Sequence, residues 1–442
     1  MTKDPRFDVE ALLATVANKP ARRLYEALVR HGPRNDALED SRDYLDARLD
    51  EAARLSCDLP DDPADLEGWM LARHESVGRQ YLAYLDARRA GAPRQYFPAR
   101  AHALYFLRGV APTKMVDGAW LYGLVDTWRD DRFQGLIRTY LEELGNGLPQ
   151  DNHVALYRRL LAANGCEHWH EQDDERYVQG AIQLCLAHGA PRFLPEVIGF
   201  NLGYEQLPLH LLITAYELDE LGIDPYYFTV HVTVDNPGTG HGRKAVEAVW
   251  NALPKTGARA FYERVRRGYR LNDLGKGTVE VIRSFDLQAE LLRILEAKSL
   301  YGCHLHSDYA RVAGRTVNQW LSDPRDIPAF LGNLERSGWI KRHRDPDESR
   351  FWKLLQGDRA EMFGVFSSYE LQVIHAWIAG DAAIEYTDAS ARRPNAAASR
   401  AGGAVRRMGA GAGAGAHRPC SFRAARRREE KQEEDGAGCA PL

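Results

Sequence analysis

The stretch Pro195–His241, PEVIGFNLGYEQLPLHLLITAYELDELGIDPYYFTVHVTVDNPGTGH, decides how the chain is read. It opens as an apolar helical segment carrying two isolated carboxylates, Glu196 and Glu205. It turns at Gly222-Ile223-Asp224-Pro225 and then presents His231, Asp235 and His241 in quick succession. Ionisable groups in an apolar setting are costly unless they are paired or bind a metal. The pattern therefore points to a metal site made of carboxylates and imidazoles.

The helix expected over Phe193 to Leu221 carries Gly199 and Gly203 at i and i+4, so a neighbouring helix can come close to that face. Glu205 falls among small and aliphatic residues and not on a charged face; a buried salt bridge is the competing reading for it. Glu196 follows Pro195 and suits a first-turn acid facing the helix dipole, which leaves it in reserve. His231 and Asp235 are four apart and would share one face of a helix. The β-branched run Val230-His231-Val232-Thr233-Val234 supports a helix poorly, and a strand would also put both residues on one face. Asn236-Pro237-Gly238 breaks the element, and His241 then starts the next helix.

Composition bounds the remaining possibilities. The chain has 442 residues, 44% hydrophobic and 27% charged, ordinary for a globular protein with a large core. A formal net charge of -4 gives no electrostatic reason to expect nucleic acid as the main partner. The N-terminus MTKDPRFDVE lacks the apolar core of a secretory signal, and no apolar run reaches the ~18 residues that a membrane span needs. A cytoplasmic location with no membrane partner is expected. The six cysteines contain no CxxC pair and read as reduced thiols.

Upstream, amphipathic helices are expected over Asp8 to His31, Asp36 to Cys57 and Pro63 to Ala90, none with evident chemistry. Ala101 to Leu107 and Met115 to Trp128 read as buried helices, the second with small residues Gly118, Ala119 and Gly123. Arg132 to Leu144 ends in Glu142-Glu143-Leu144-Gly145-Asn146-Gly147, a composition suited to a helix end. Glu143 and His153 flank that break. They are ten residues apart, nearly three turns on an unbroken helix, so a bend is needed to aim both inward. A solvated capping acid and a surface histidine are the alternative. Cys166-Glu167-His168-Trp169-His170 has zinc-like residues but no companion pair and reads as a polar loop.

These residues resemble the heme-oxygenase-like diiron oxidase superfamily, in particular its bacterial branch of iron-containing redox enzymes. Three pieces carry the resemblance: Glu143-Leu-Gly-Asn-Gly followed by His153; Leu202-Gly-Tyr-Glu205-Gln-Leu-Pro208; and Tyr227-Phe228-x-x-His231-x-x-x-Asp235 followed by His241. The likeness covers roughly residues 100–254. It implies an all-α, heme-oxygenase-like helical bundle with Glu143, His153, Glu205, His231, Asp235 and His241 as metal ligands. It implies two iron ions per chain, dioxygen as co-substrate and a small-molecule substrate. The expected outcomes are N-oxygenation, hydroxylation, desaturation or oxidative C–C cleavage, with room for an external electron donor and a homodimer. The chain departs from the family at two places. The proline after Glu205 comes one residue sooner, and Asn-Pro-Gly-Thr-Gly separates Asp235 from His241 where the family has two residues.

Beyond Pro254, helices are expected over Arg259 to Tyr269 and Val279 to Leu300, then Tyr309 to Leu321 and Ile327 to Ser337. Gly338–Lys341 and Arg350–Leu354, joined by a polar turn, read as a β-hairpin. Helix, helix, hairpin suggests a winged helix, so residues 309–355 raise a DNA-binding regulator as a second class of function. A metal-free scaffold acting as a binding protein or hydrolase is a third. The expected organisation is an N-terminal helical extension (1–95), a metal-binding bundle (96–275) and a C-terminal helical, winged-helix-like region (276–380). An Ala/Gly/Arg-rich tail (381–442) has too little apolar surface to fold alone.

Overall fold

A computed structural model describes residues 19–30, 33–356, 361–362 and 364–382. The described chain is helical apart from one two-stranded hairpin. The N-terminal part holds α1 (Pro20–Leu28), α2 (Asn35–Ala52) and α3 (Leu66–Arg89). The middle holds α4 (Arg100–Lys114), a 3-10 stretch Ala119–Thr127, α5 (Gln134–Glu143), α6 (His153–Ala163) and α7 (Val178–Gly189). It continues through α8 (Leu194–Tyr204), α9 (Leu209–Glu220), α10 (Tyr226–Val234), α11 (His241–Ala252) and α12 (Ala258–Arg270). Then come α13 (Thr278–Arg283), α14 (Leu287–Gly302), the strands β1 (Arg311–Val312) and β2 (Arg315–Thr316), α15 (Val317–Leu321), α16 (Ile327–Arg336), α17 (Arg350–Leu355) and α18 (Ser368–Ala379). Among the described residues no helix is long and apolar enough to cross a membrane.

Helix α7, VQGAIQLCLAHG, is buried on every side, as its composition without charged residues before His188 requires. Helices α1 and α2, the 3-10 stretch and α4 pack around it. Helices α8, α11 and α12 form the neighbouring layer, and α3 lies across α9 and α11. The contact of α8 with α12 is the closest in the fold. A Cβ on Gly199 would sit 1.9 Å from the carbonyl oxygen of Val265, and one on Gly268 would sit 2.1 Å from that of Glu196. The two helices meet backbone to backbone, as the glycine spacing on α8 led us to expect.

The all-α expectation holds, with local corrections. The single helix expected over Phe193 to Leu221 is two helices, because Pro208 disfavours helical backbone at Leu207 and the chain turns at 205–208. The hairpin expected between Gly338 and Leu354 is absent. Asp345 caps a 3-10 turn at Pro346–Glu348, accepting from Asp347 N at 2.9 Å, and the chain continues as α17. Trp339 and Phe351 do lie side by side, joined by a backbone hydrogen bond of 2.9 Å, but no strand ladder forms. The hairpin instead falls inside the expected helix Tyr309 to Leu321. Ala313 and Gly314, both at positive φ, turn β1 back on β2 with Val312 opposite Arg315. The DNA-binding reading rested on the missing wing. The tail, from residue 383 onward, lies outside the described residues.

Candidate metal centre

Asp117 stands at the end of α4, where Gly118 takes a left-handed conformation (φ 79°) and sends the chain into the 3-10 stretch. Glu143 is the last residue of α5. The chain then turns through Gly145, Asn146 and Gly147, all at positive φ, and re-enters helix at His153, with Asn152 capping α6 by accepting from Ala155 N. That bend brings His153 Nδ1 to 2.5 Å from Glu143 Oε2. The ten-residue separation is thus closed by a break and not by a compressed helix.

Glu205 sits at the C-cap of α8. His231 lies on α10, which is helical despite its β-branched run, and Asp235 is its C-cap. Asn236 accepts from the amides of Gly238, Thr239 and Gly240, which folds the inserted loop compactly and starts α11 at His241. His241 Nδ1 lies 3.2 Å from Glu205 Oε2, 3.3 Å from Glu143 Oε1 and 3.4 Å from Asp235 Oδ1. His231 Nε2 lies 3.4 Å from Asp117 Oδ2.

All six sequence candidates therefore converge, joined by Asp117, and none of the seven is more than 6% exposed. Six of them form two donor groups. Asp117, Glu143, His153 and His231 bring donor atoms within 4.8 Å of one another, and so do Glu143, Glu205 and His241; Glu143 belongs to both. Glu143 Oε2, His153 Nδ1, Glu205 Oε1, His231 Nε2 and Asp235 Oδ1 are buried without a hydrogen-bond partner, the close pairs being poorly aligned for one. Buried polar atoms are nearly always satisfied, and here ion pairs take that part: Glu143 with His153, Asp117 with His231, and Asp235 with His241. Glu196 is not part of it: α12 supplies Arg264, which grips both its oxygens at 2.6–2.7 Å. His168 and His170 are exposed and join no donor group among the described residues.

The electrostatics match mutual dependence. Burial opposes ionisation of Glu143, yet the imidazoles of His153 and His241 outweigh it and hold its carboxyl at about 2. Burial dominates at Glu205, which is pushed up to about 8 even beside His241. Burial disfavours the His231 imidazolium, but Asp117 and Asp235 raise it to about 9. Burial likewise opposes charge on His241, and Glu205, Asp235 and Glu143 reverse it strongly upward. Around the ligands, Tyr204 and Tyr227 donate to the two oxygens of Asp117 at 2.8 and 2.5 Å, and Lys114 donates to Tyr204. His231 Nδ1 faces the Tyr227 carbonyl at 2.8 Å, leaving Nε2 for the centre.

A narrow cleft, partly open to solvent, reaches Asp235. Gln206, Leu207, Pro237 and Gly242 line it together with Met70, Arg73 and His74 of α3.

Sequence reasoning missed Asp117. Its signal was present: a lone acid in the apolar run Val116-Asp117-Gly118-Ala119-Trp120, the same criterion that picked out Glu205.

A helical scaffold with two buried donor groups of carboxylate and imidazole is equipped to hold metal ions. Residues 104–273 match the family model of the iron-containing redox enzymes, so the resemblance to the heme-oxygenase-like superfamily holds over that segment and marks the chain as an oxidoreductase. No curated protein and no solved structure matches the chain.

Proposed function

We propose that the chain is a non-heme oxidase or oxygenase that holds two iron ions and uses dioxygen to oxidise a small organic substrate. The observation that carries this reading is the pair of buried donor groups that share Glu143, with Asp235 beside the second. Carboxylates and imidazoles are hard to borderline donors, a set suited to iron or manganese. One ion would take Asp117, Glu143, His153 and His231; the other would take Glu143, Glu205, Asp235 and His241. Bound reduced iron supplies the one-electron chemistry that dioxygen needs and that side chains lack.

The protein's own residues do the rest. The Tyr227 carbonyl fixes the His231 tautomer, and the phenols of Tyr204 and Tyr227 fix the Asp117 carboxylate. Trp120, Phe200, Tyr157 and Phe228 wall the interior and exclude water. The narrow cleft beside Asp235 leads from solvent toward the donor groups; the substrate is N-oxygenated, hydroxylated, desaturated or cleaved, and an external donor returns the electrons.

Anaerobic loading of the full chain with ferrous iron, followed by desalting and metal analysis, tests the proposal. Two iron ions per chain and oxidation by dioxygen in stopped flow are expected. Iron retention no higher than that of a denatured control overturns it.

A further inference from the structure

His241 has two ring nitrogens, and the protein treats them differently. Nδ1 faces Glu205, Glu143 and Asp235 at 3.2–3.4 Å. Nε2 faces the other way, toward Glu142 Oε2 at 2.9 Å. Glu142 and Glu143 are consecutive on α5, so adjacent carboxylates hold opposite edges of one imidazole. Glu142 is itself anchored. Lys244, one turn along α11 from His241, donates to Oε2 at 2.5 Å, and Arg138, one turn back along α5, donates to Oε1 at 2.9 Å. A carboxylate held between two cations accepts hydrogen bonds and does not donate them, so the hydrogen on Nε2 points at Glu142.

We propose that Glu142 is a positioning residue that fixes His241 as an Nδ1 ligand and thereby sets the affinity of the second metal position. This rests on the two-metal reading above. With Nε2–H committed to Glu142, Nδ1 is the nitrogen that faces Glu143, Glu205 and Asp235 and would give up its proton to take the second ion. Without Glu142 the ring loses its hydrogen-bond partner on the outer edge, and Nε2 competes with Nδ1 as the metal-facing nitrogen. Among the described residues, the ion pairs of Glu142 go to His241, Lys244 and Arg138 and to none of the first group. Its loss therefore falls on one ion and spares the other. Outer-shell partners of ligating histidines typically account for about 10–100-fold in metal affinity.

The test is titration of the full chain with cobalt(II) in three forms: wild type, Glu142→Leu and Glu142→Gln. Metal stoichiometry is read by analysis after dialysis, and imidazole N–H resonances shifted by the bound cobalt are followed by proton NMR. In Glu142→Leu the second cobalt should bind about 10–100-fold more weakly and the first unchanged. One shifted exchangeable N–H signal, that of His241 Nε2, should exchange faster with solvent or vanish. Glu142→Gln retains an acceptor oxygen and should keep that signal with a smaller loss of affinity. Two cobalt ions bound with wild-type affinity and an unaltered N–H spectrum in Glu142→Leu would overturn the assignment while leaving the two-metal reading intact. A wild-type chain that binds no cobalt overturns that reading and this one with it.

Discussion

Gly118 and Glu143 touch at the one place where the backbone beside Asp117 meets the carboxylate common to both donor groups. A Cβ at residue 118 would lie 2.8 Å from Glu143 Cβ and 3.0 Å from its Cγ, and the backbone there is left-handed at φ 79°. Gly118→Ala combines a conformational cost of about 1–2 kcal/mol with displacement of Glu143. Chemical denaturation should show that destabilisation, and uptake of both metal ions should fall together, because the displaced carboxylate serves both.

Sharing also makes single deletions distinguishable. His153→Ala should leave one ion, bound at Glu205, Asp235 and His241, and His241→Ala should leave the other. Glu143→Ala should abolish both, with a loss exceeding the roughly 10–100-fold of an outer-shell change. Metal analysis of the three variants checks this; equal stoichiometry in all three would contradict a shared ligand.

Glu196 should behave in the opposite way. Its carboxylate is buried, but the Arg264 side chain is 42% exposed and water can replace its partner, so Glu196→Ala should cost about 1.5–3 kcal/mol, the range for a hydrogen bond to a charged group. Metal stoichiometry should be unchanged. A stable variant that loses iron would return Glu196 to the centre.

Acid should loosen the C-terminal helix before it reaches the bundle's other contacts. Glu290 on α14 accepts from Arg293 at 2.8 Å and from Tyr369 of α18 at 2.7 Å. Burial raises its carboxyl, but Arg293, Tyr369 and Arg108 outweigh burial and leave it below 4.5. A group depressed on folding contributes stability that is present above its unfolded value and is lost as pH falls from about 4.5 through the folded one. Hydrogen exchange of Ser368–Ala379 should accelerate over that window, and Glu290→Gln should remove the dependence and cost about 1–3 kcal/mol at neutral pH.

The cleft predicts a role for α3. His74→Trp, at the half-buried α3 residue that lines the space beside Asp235, should narrow it without replacing a donor residue. Metal content and melting temperature should match wild type, while the reaction of the ferrous protein with substrate analogues and dioxygen in stopped flow should slow about tenfold or more, the cost of misplacing a reactant by a small distance. Unchanged rates would place the entry elsewhere.

Much of the centre was legible because ionisable residues are conspicuous in apolar sequence. Glu205, His231 and Asp235 announced themselves in that way, and Gly145-Asn146-Gly147 announced the bend that joins Glu143 to His153. Asp117 obeyed the same rule but lay in a segment expected to be plain buried helix, because residue 118 was read as a small packing residue and not as a left-handed turn. Glu142 was hidden for another reason: next to an acid at a helix end, its role depends on where His241 and Lys244 arrive from across the fold. The 338–354 hairpin failed because aromatic, β-prone residues suit a short helix equally well once a capped proline turn sets the backbone in helical geometry. Residues 311–316 became strands through a two-residue turn that periodicity does not register.

The glycine seam between α8 and α12 has a consequence for how the chain tolerates change. Backbone contact at Gly199 and Gly268 sets the height of α8 along its own axis, and Glu205 is the residue that caps that helix. Its reach into the centre is gauged by main-chain atoms, which vary little from one sequence to the next. Side chains elsewhere on α8, such as Val197 and Ile198, are free to trade volume with their neighbours at a cost in stability alone. The carboxylate is insulated from drift in the core that surrounds it, and only a side chain inserted into the seam would move it.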